Sequence, residues 1–113
     1  MSQRNINNSF GGIIVKEIST KEVLQKLNDG EKLNMVDVRE EEEVALGMVP
    51  GAQHIPLGEI PARLDELDKD TQYVMICRSG GRSGNACNFL SEQGYDVMNM
   101  TGGMLDWEGE VEK

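Results

Sequence analysis

A chain of 113 residues with 38% hydrophobic composition can bury one core without disulfide or metal support, and is too short for a second domain. Its net charge of −9 argues against nucleic acid, whose phosphates call for clustered Lys and Arg, and no stretch approaches the ~20 apolar residues of a membrane span. Two cysteines with no apolar secretion signal fit free thiols in a reducing cytoplasm better than a disulfide framework.

Residues 1–14 form a polar N-terminal segment, with Asn5, Asn7, Asn8 and Ser9 clustered, whose composition is compatible with disorder. The stretch "ISTKEVLQKLNDG" then opens a helix. Ser19 is its cap, Glu22 completes a capping box, Val23, Leu24 and Leu27 form the buried stripe, and Gly30 stops it. Leu33 to Val38 reads as a strand that delivers Asp37 and Arg39 at its end. "EEEEVALG" is a short helix stopped by Gly47, and "PGAQHIP" is a Pro-Gly turn leading to a brief extended piece around His54 and Ile55. "LGEIPARLDEL" has the spacing of a short amphipathic helix with Ile60, Leu64 and Leu67 inward.

Tyr73 to Ile76 is a short buried strand, which leaves Cys77 at its carboxyl end. After Gly80 and Gly81, helical spacing links Ala86, Leu90 and Gly94, with Cys87 and Phe89 beside them and Gly94 as the stop. Tyr95 to Met100 is a further strand, followed by Gly102, Gly103 and a last short helix holding Trp107. Strands alternating with helices over this length predict an α/β fold, a mostly parallel central sheet with helices on both faces.

The segment "YVMICRSGGRSGNACNFL" is therefore strand, loop, helix. Ligands of open parallel sheets bind outside the carboxyl ends of strands, where a helix N-terminus offers free N–H groups to anions. Arg78 and Arg82 place two cations within five residues of Cys77 in an otherwise acidic chain. A cysteine acts as a nucleophile through its thiolate, which a helix N-terminus and nearby Arg stabilise. Gly80 and Gly81 allow successive amides to turn inward around the sulfur, and Ser79 and Ser83 are small enough to leave the mouth open.

The loop "CRSGGRS" at Cys77 to Ser83, "DVR" at Asp37 to Arg39, "VPGAQHIP" at Val49 to Pro56 and "GGMLDW" at Gly102 to Trp107 together resemble the single-domain rhodanese-like sulfurtransferases, over about residues 15 to 110. The resemblance implies a single rhodanese-like domain over 15–113 and no cofactor. It also implies a catalytic Cys77 that carries a transferable sulfur as a persulfide, within a loop whose amides stabilise it. Carried over position by position, Arg78, Ser79, Gly80, Gly81 and Arg82 are substrate-binding. Arg82 meets the oxyanion part of a donor such as thiosulfate and Arg78 assists at the rim. Asp37, Arg39 and Ser83 support the loop. Met48 stands where the family usually has a histidine.

The remaining candidates read as structure. His54, hemmed by Ile55 and Pro56, is a structural or surface residue, and Cys87, one turn below Ser83, packs inward. Two cysteines and one histidine match no zinc spacing, so no metal is expected. The acidic runs at Glu40 to Glu43 and at Glu108, Glu110 and Glu112 read as solvated surface. The expected activity is a cytoplasmic, thiosulfate-type sulfur transfer. Its partners are a small-molecule donor and a thiol, cyanide or protein acceptor. The alternatives are a non-catalytic interaction or sensing module, and a phosphatase or arsenate reductase. A phosphatase loop places its arginine after five intervening residues, whereas here four separate Cys77 from Arg82 and Ser83 holds the phosphatase position.

Overall fold

A computed structural model describes residues 15–113, and the polar segment 1–14 lies outside the described residues. Five parallel strands form one sheet: β1 Lys16–Ser19, β2 Asn34–Asp37, β3 Gln53–His54, β4 Gln72–Ile76 and β5 Asp96–Thr101, in the order β1-β5-β4-β2-β3. Helices α1 Thr20–Asn28, α2 Glu41–Val44 and α3 Gly81–Glu92 connect them with three 3₁₀ segments, Leu57–Glu59, Pro61–Glu66 and Gly103–Asp106. The chain crosses the sheet one way from β1 through α1 to β2, and the other way from β4 through α3 to β5. Right-handed crossovers in opposite directions put their helices on opposite faces. The parallel sheet covered on both sides, expected from the alternation of elements, is what forms.

Two cores result. Successive side chains of a strand point to opposite faces, so β4 sends Tyr73 and Met75 toward Ala86, Cys87 and Leu90 of α3, and Cys77 continues on that side. Val74 and Ile76 go to the other side, with Val23 of α1 and Met100 of β5. β4 is central and buried along all but its first residue. Cys77 therefore emerges at the middle of the sheet's carboxyl edge, on the α3 side.

The structure departs from the expected elements at three points. Strand β1 was not anticipated, because only Ile18 of its four residues is buried and an edge strand with one apolar anchor has no readable period. The expected helix over "LGEIPARLDEL" is two 3₁₀ segments. Pro61 has no N–H for an α-helical bond, and Arg63 breaks the path at φ −119°, although Ile60 and Leu67 are buried as expected. The last short helix ends at Asp106, so Trp107 follows it rather than sitting within it. No helix among the described residues is long and apolar enough to cross a membrane.

Candidate active site

The loop begins where β4 ends and closes into α3 within a few residues. Gly80 makes the turn at φ +106°, a left-handed conformation that costs a side-chain-bearing residue strain, and it aims its own amide back at the cysteine. That N–H donates to Cys77 Sγ at 3.0 Å, and the Ser83 hydroxyl, one turn into α3, lies 3.3 Å from the same sulfur. The outward carbonyls of the loop are taken up elsewhere. Cys77 O accepts from the Met104 amide at 2.9 Å, Arg78 O from Leu105 at 3.0 Å and Gly80 O from Gly84 at 3.0 Å. The approach of the final 3₁₀ segment is so close that a Cβ on Gly103 would stand 2.4 Å from Arg78 O. With its carbonyls engaged outside, the loop presents amides to the sulfur.

Cys77 is 1% exposed. Burial pushes its thiol up, but the Ser83 hydroxyl, followed by the backbone amides of Ser83, Gly80 and Ser79, more than offsets this and holds it below the ordinary thiol value. Cys87, fully buried on α3, shows the contrast. Burial, with the charge of Cys77 adding to it, pushes this second thiol up to about 12. One fold thus holds one thiol below the ordinary value and one well above it.

The two loop arginines have different surroundings. Arg78 is exposed and among the described residues makes no ion pair. Arg82 is closed on α2: Nη1 donates to Glu43 Oε1 at 2.7 Å and Nη2 to Oε2 at 2.8 Å. This fork, against the opposing effect of burial, holds the Glu43 carboxyl down to about 2. Glu43 thereby leaves the solvated run in which the sequence placed it. A bidentate cation reaching over from the loop outweighs its hydration, while Glu40, Glu41 and Glu42 stay exposed.

Asp37 and Arg39 form a buried pair at the end of β2, 0% and 6% exposed. Arg39 donates through Nε and Nη2 to the Asp37 carboxylate, the shortest contact being 2.8 Å, and Nη2 also reaches Gly47 O at 2.8 Å. Their hydrogen bonds thus tie β2 to the end of the α2 turn. His54 Nε2 donates to Arg39 O at 2.7 Å, which makes it a structural residue. Met48 joins the chain's end through a backbone bridge, Met48 N to Glu112 O at 2.9 Å and Glu112 N to Met48 O at 2.8 Å. Those contacts use no side chain, so a methionine serves there.

Two contributors escaped the sequence reading, Glu43 and Asn99. Glu43 was indistinguishable within its acidic run. Asn99 did carry a signal, as an amide in the otherwise apolar "VMNM". It is 7% exposed, donates from Nδ2 to Gly80 O at 3.0 Å and accepts from the Ser83 hydroxyl at 2.5 Å.

The fold and the site define an α/β protein with a buried cysteine sulfur, held by loop donors, at the end of the central strand of a parallel sheet. Residues 19–110 match the family model described as a rhodanese-like domain, and the chain belongs to that family. It is 54% identical over 97 residues to YtwF of Bacillus subtilis (strain 168), provisionally named a sulfurtransferase, covering 86% of this chain and 94% of that one. It is 43% identical over 95 residues to a sulfurtransferase of Allochromatium vinosum, covering 83% and 89%. The crystal structure of a rhodanese-like domain protein from Staphylococcus aureus, 37% identical, has a TM-score of 0.82 across 87% of this chain and 97% of its own. These names support a rhodanese-type transferase.

Proposed function

We propose that the protein moves a sulfane sulfur by double displacement through a persulfide on Cys77. The observation that carries the reading is the sulfur's environment: buried, yet held below the ordinary thiol value by the Gly80 amide at 3.0 Å and the Ser83 hydroxyl at 3.3 Å. A thiolate so placed attacks the outer sulfur of a donor such as thiosulfate, releases sulfite, and keeps the sulfur until a thiol, cyanide or protein acceptor takes it. In the persulfide the loop amides would stabilise the charge on the outer sulfur.

Ser79, Gly80 and Gly81 contribute backbone amides and space. Arg78 is the cation at the rim that meets the donor's oxygens. A guanidinium has five N–H hydrogens, and Arg82 commits two of them to Glu43 and offers the rest to the donor. Asp37 and Arg39 support the site from the neighbouring strand, and the reaction uses no cofactor. The setting is cytoplasmic, where thiol acceptors are abundant and both cysteines stay free.

Turnover of thiosulfate with cyanide as acceptor tests the assignment. Cys77→Ser is expected to abolish transfer with an unchanged thermal melt, since a serine hydroxyl neither ionises near neutral pH nor forms a persulfide. Cys87→Ala is expected to retain most of it. Near-normal turnover in the serine variant would refute the mechanism.

A further inference from the structure

Asn99 lies on the face of β5 that α3 covers, and a buried amide is costly unless both its halves are paired. Both are. Nδ2 donates to Gly80 O at 3.0 Å, which fixes the direction of the amide because a carbonyl can only accept, and Oδ1 is thereby turned to the Ser83 hydroxyl at 2.5 Å. Gly84 leaves the amide its space, since a Cβ there would stand 3.4 Å from Asn99 Nδ2. Ser83 has a single hydroxyl hydrogen and two acceptors within reach, Asn99 Oδ1 at 2.5 Å and Cys77 Sγ at 3.3 Å. It can serve one at a time.

We propose that Asn99 is a positioning residue that holds the Ser83 hydroxyl hydrogen while Cys77 Sγ is uncharged and yields it to the sulfur when the thiolate forms. In the thiol state Ser83 donates to Asn99 and its oxygen faces the S–H. Loss of the thiol proton to solvent leaves charge on Sγ, and the hydroxyl hydrogen turns to it.

The last step rests on the persulfide reading. As the thiolate attacks thiosulfate, an Sγ electron pair forms the new S–S bond, the donor's S–S bond breaks, and its electron pair leaves with sulfite. The negative charge then sits on the terminal sulfur. Cys77 Sγ has become a two-bonded, uncharged atom, and the Ser83 hydrogen returns to Asn99. Asn99 thus favours the thiol and the persulfide over the bare thiolate.

The charged and titratable groups on the elements around Cys77 are Arg78 and Arg82 of its own loop, Glu43 of α2 behind Arg82 with Glu40, Glu41 and Glu42 beside it, Cys87 and Glu92 of α3, the Asp37–Arg39 pair of β2, Asp96 of β5 and Asp106 of the last 3₁₀ segment. Replacing Asn99 changes none of them. Gly80 O also keeps its bond from the Gly84 amide.

The test is the pH dependence of iodoacetamide alkylation, followed by mass spectrometry on the peptide that carries Cys77, because both thiols are buried and exposure does not separate them. Asn99→Leu, nearly equal in shape, is expected to lower the midpoint and raise the thiolate fraction below it several-fold. Ser83→Ala is expected to raise the midpoint, and adding Asn99→Leu to Ser83→Ala is expected to change nothing further. A midpoint unmoved or raised by Asn99→Leu overturns the proposal, as does an equal shift in the Ser83→Ala background. If Asn99→Leu does not fold, the Asn99 side-chain carbonyl ¹³C resonance of the unaltered protein decides. It is expected to titrate with the Cys77 midpoint, and a flat resonance overturns the proposal. None of these readouts needs sulfur transfer, so failure of the sulfurtransferase reading would show separately, as absence of a sulfur adduct on Cys77.

Discussion

Cys77 and Asp37 are both buried ionisable side chains at the carboxyl edge of the sheet, and they are partnered by different means. Cys77 relies on small donors, an amide and a hydroxyl, that leave room for a reacting atom. Asp37 is 0% exposed and matched by a whole guanidinium, which leaves no such room and makes the pair a fixed strut. Removing one partner of a buried pair strands the other without water, typically at a cost of ~3 to 5 kcal/mol. Asp37→Asn keeps the shape and one acceptor, so a loss at the low end of that range, about 3 kcal/mol, is expected in urea unfolding. A loss below the roughly 0.5 kcal/mol usual for surface substitutions would mean that Arg39 finds another partner and that the strut is dispensable.

At the scale of elements, α2 is a single turn without a buried residue, and its value lies in what it holds. Glu43 Oε1 accepts from the Glu40 amide at 3.0 Å as well as from Arg82, so one carboxylate closes the start of α2 and clamps the loop. The pH consequence follows from the direction of the shift. Glu43 lies at about 2 in the folded chain against 4.5 for the ordinary group, so its contribution to stability is complete above about 4.5 and is lost as pH falls toward about 2. Melting temperature should drop through that window in the unaltered protein and less steeply in Glu43→Gln. Equal slopes would show that the pair adds nothing to folding, the usual result for solvent-exposed pairs.

The elements also show what the sequence could convey. The central strand Tyr73 to Ile76, the cysteine after it and the stop at Gly94 were legible because apolar runs and glycines mark them locally. Strand β1, the 3₁₀ character around Pro61, and the roles of Glu43 and Asn99 were not. The first and the last two each depend on a partner distant in the chain, β5 for β1, Arg82 for Glu43, Ser83 and Gly80 for Asn99, whereas the 3₁₀ path follows from Pro61 and Arg63 themselves. An acidic run cannot announce which of its members an arginine 39 positions away will select.

The whole molecule sets the Cys77 site within a chain of net charge −9. That surface disfavours anions at long range, but screening confines its reach to about 8 Å at physiological salt, and within the loop the helix N-terminus and the arginines govern. The two cores give the loop a rigid base. Cys77 follows the central strand, Ser83 and Asn99 come from α3 and β5, and the Met104 and Leu105 amides close the far side. A site assembled from so many elements forms only when the entire fold does, so its chemistry is a property of the native state. The central claim is that this state carries sulfur on Cys77. Mass spectrometry of the native protein after incubation with thiosulfate, with peptide mapping under non-reducing conditions, measures this directly. The expected result is a gain of one sulfur atom on the peptide containing Cys77, removed by cyanide or a thiol and absent after urea unfolding. An unmodified Cys77 peptide, or a gain confined to Cys87, would contradict it.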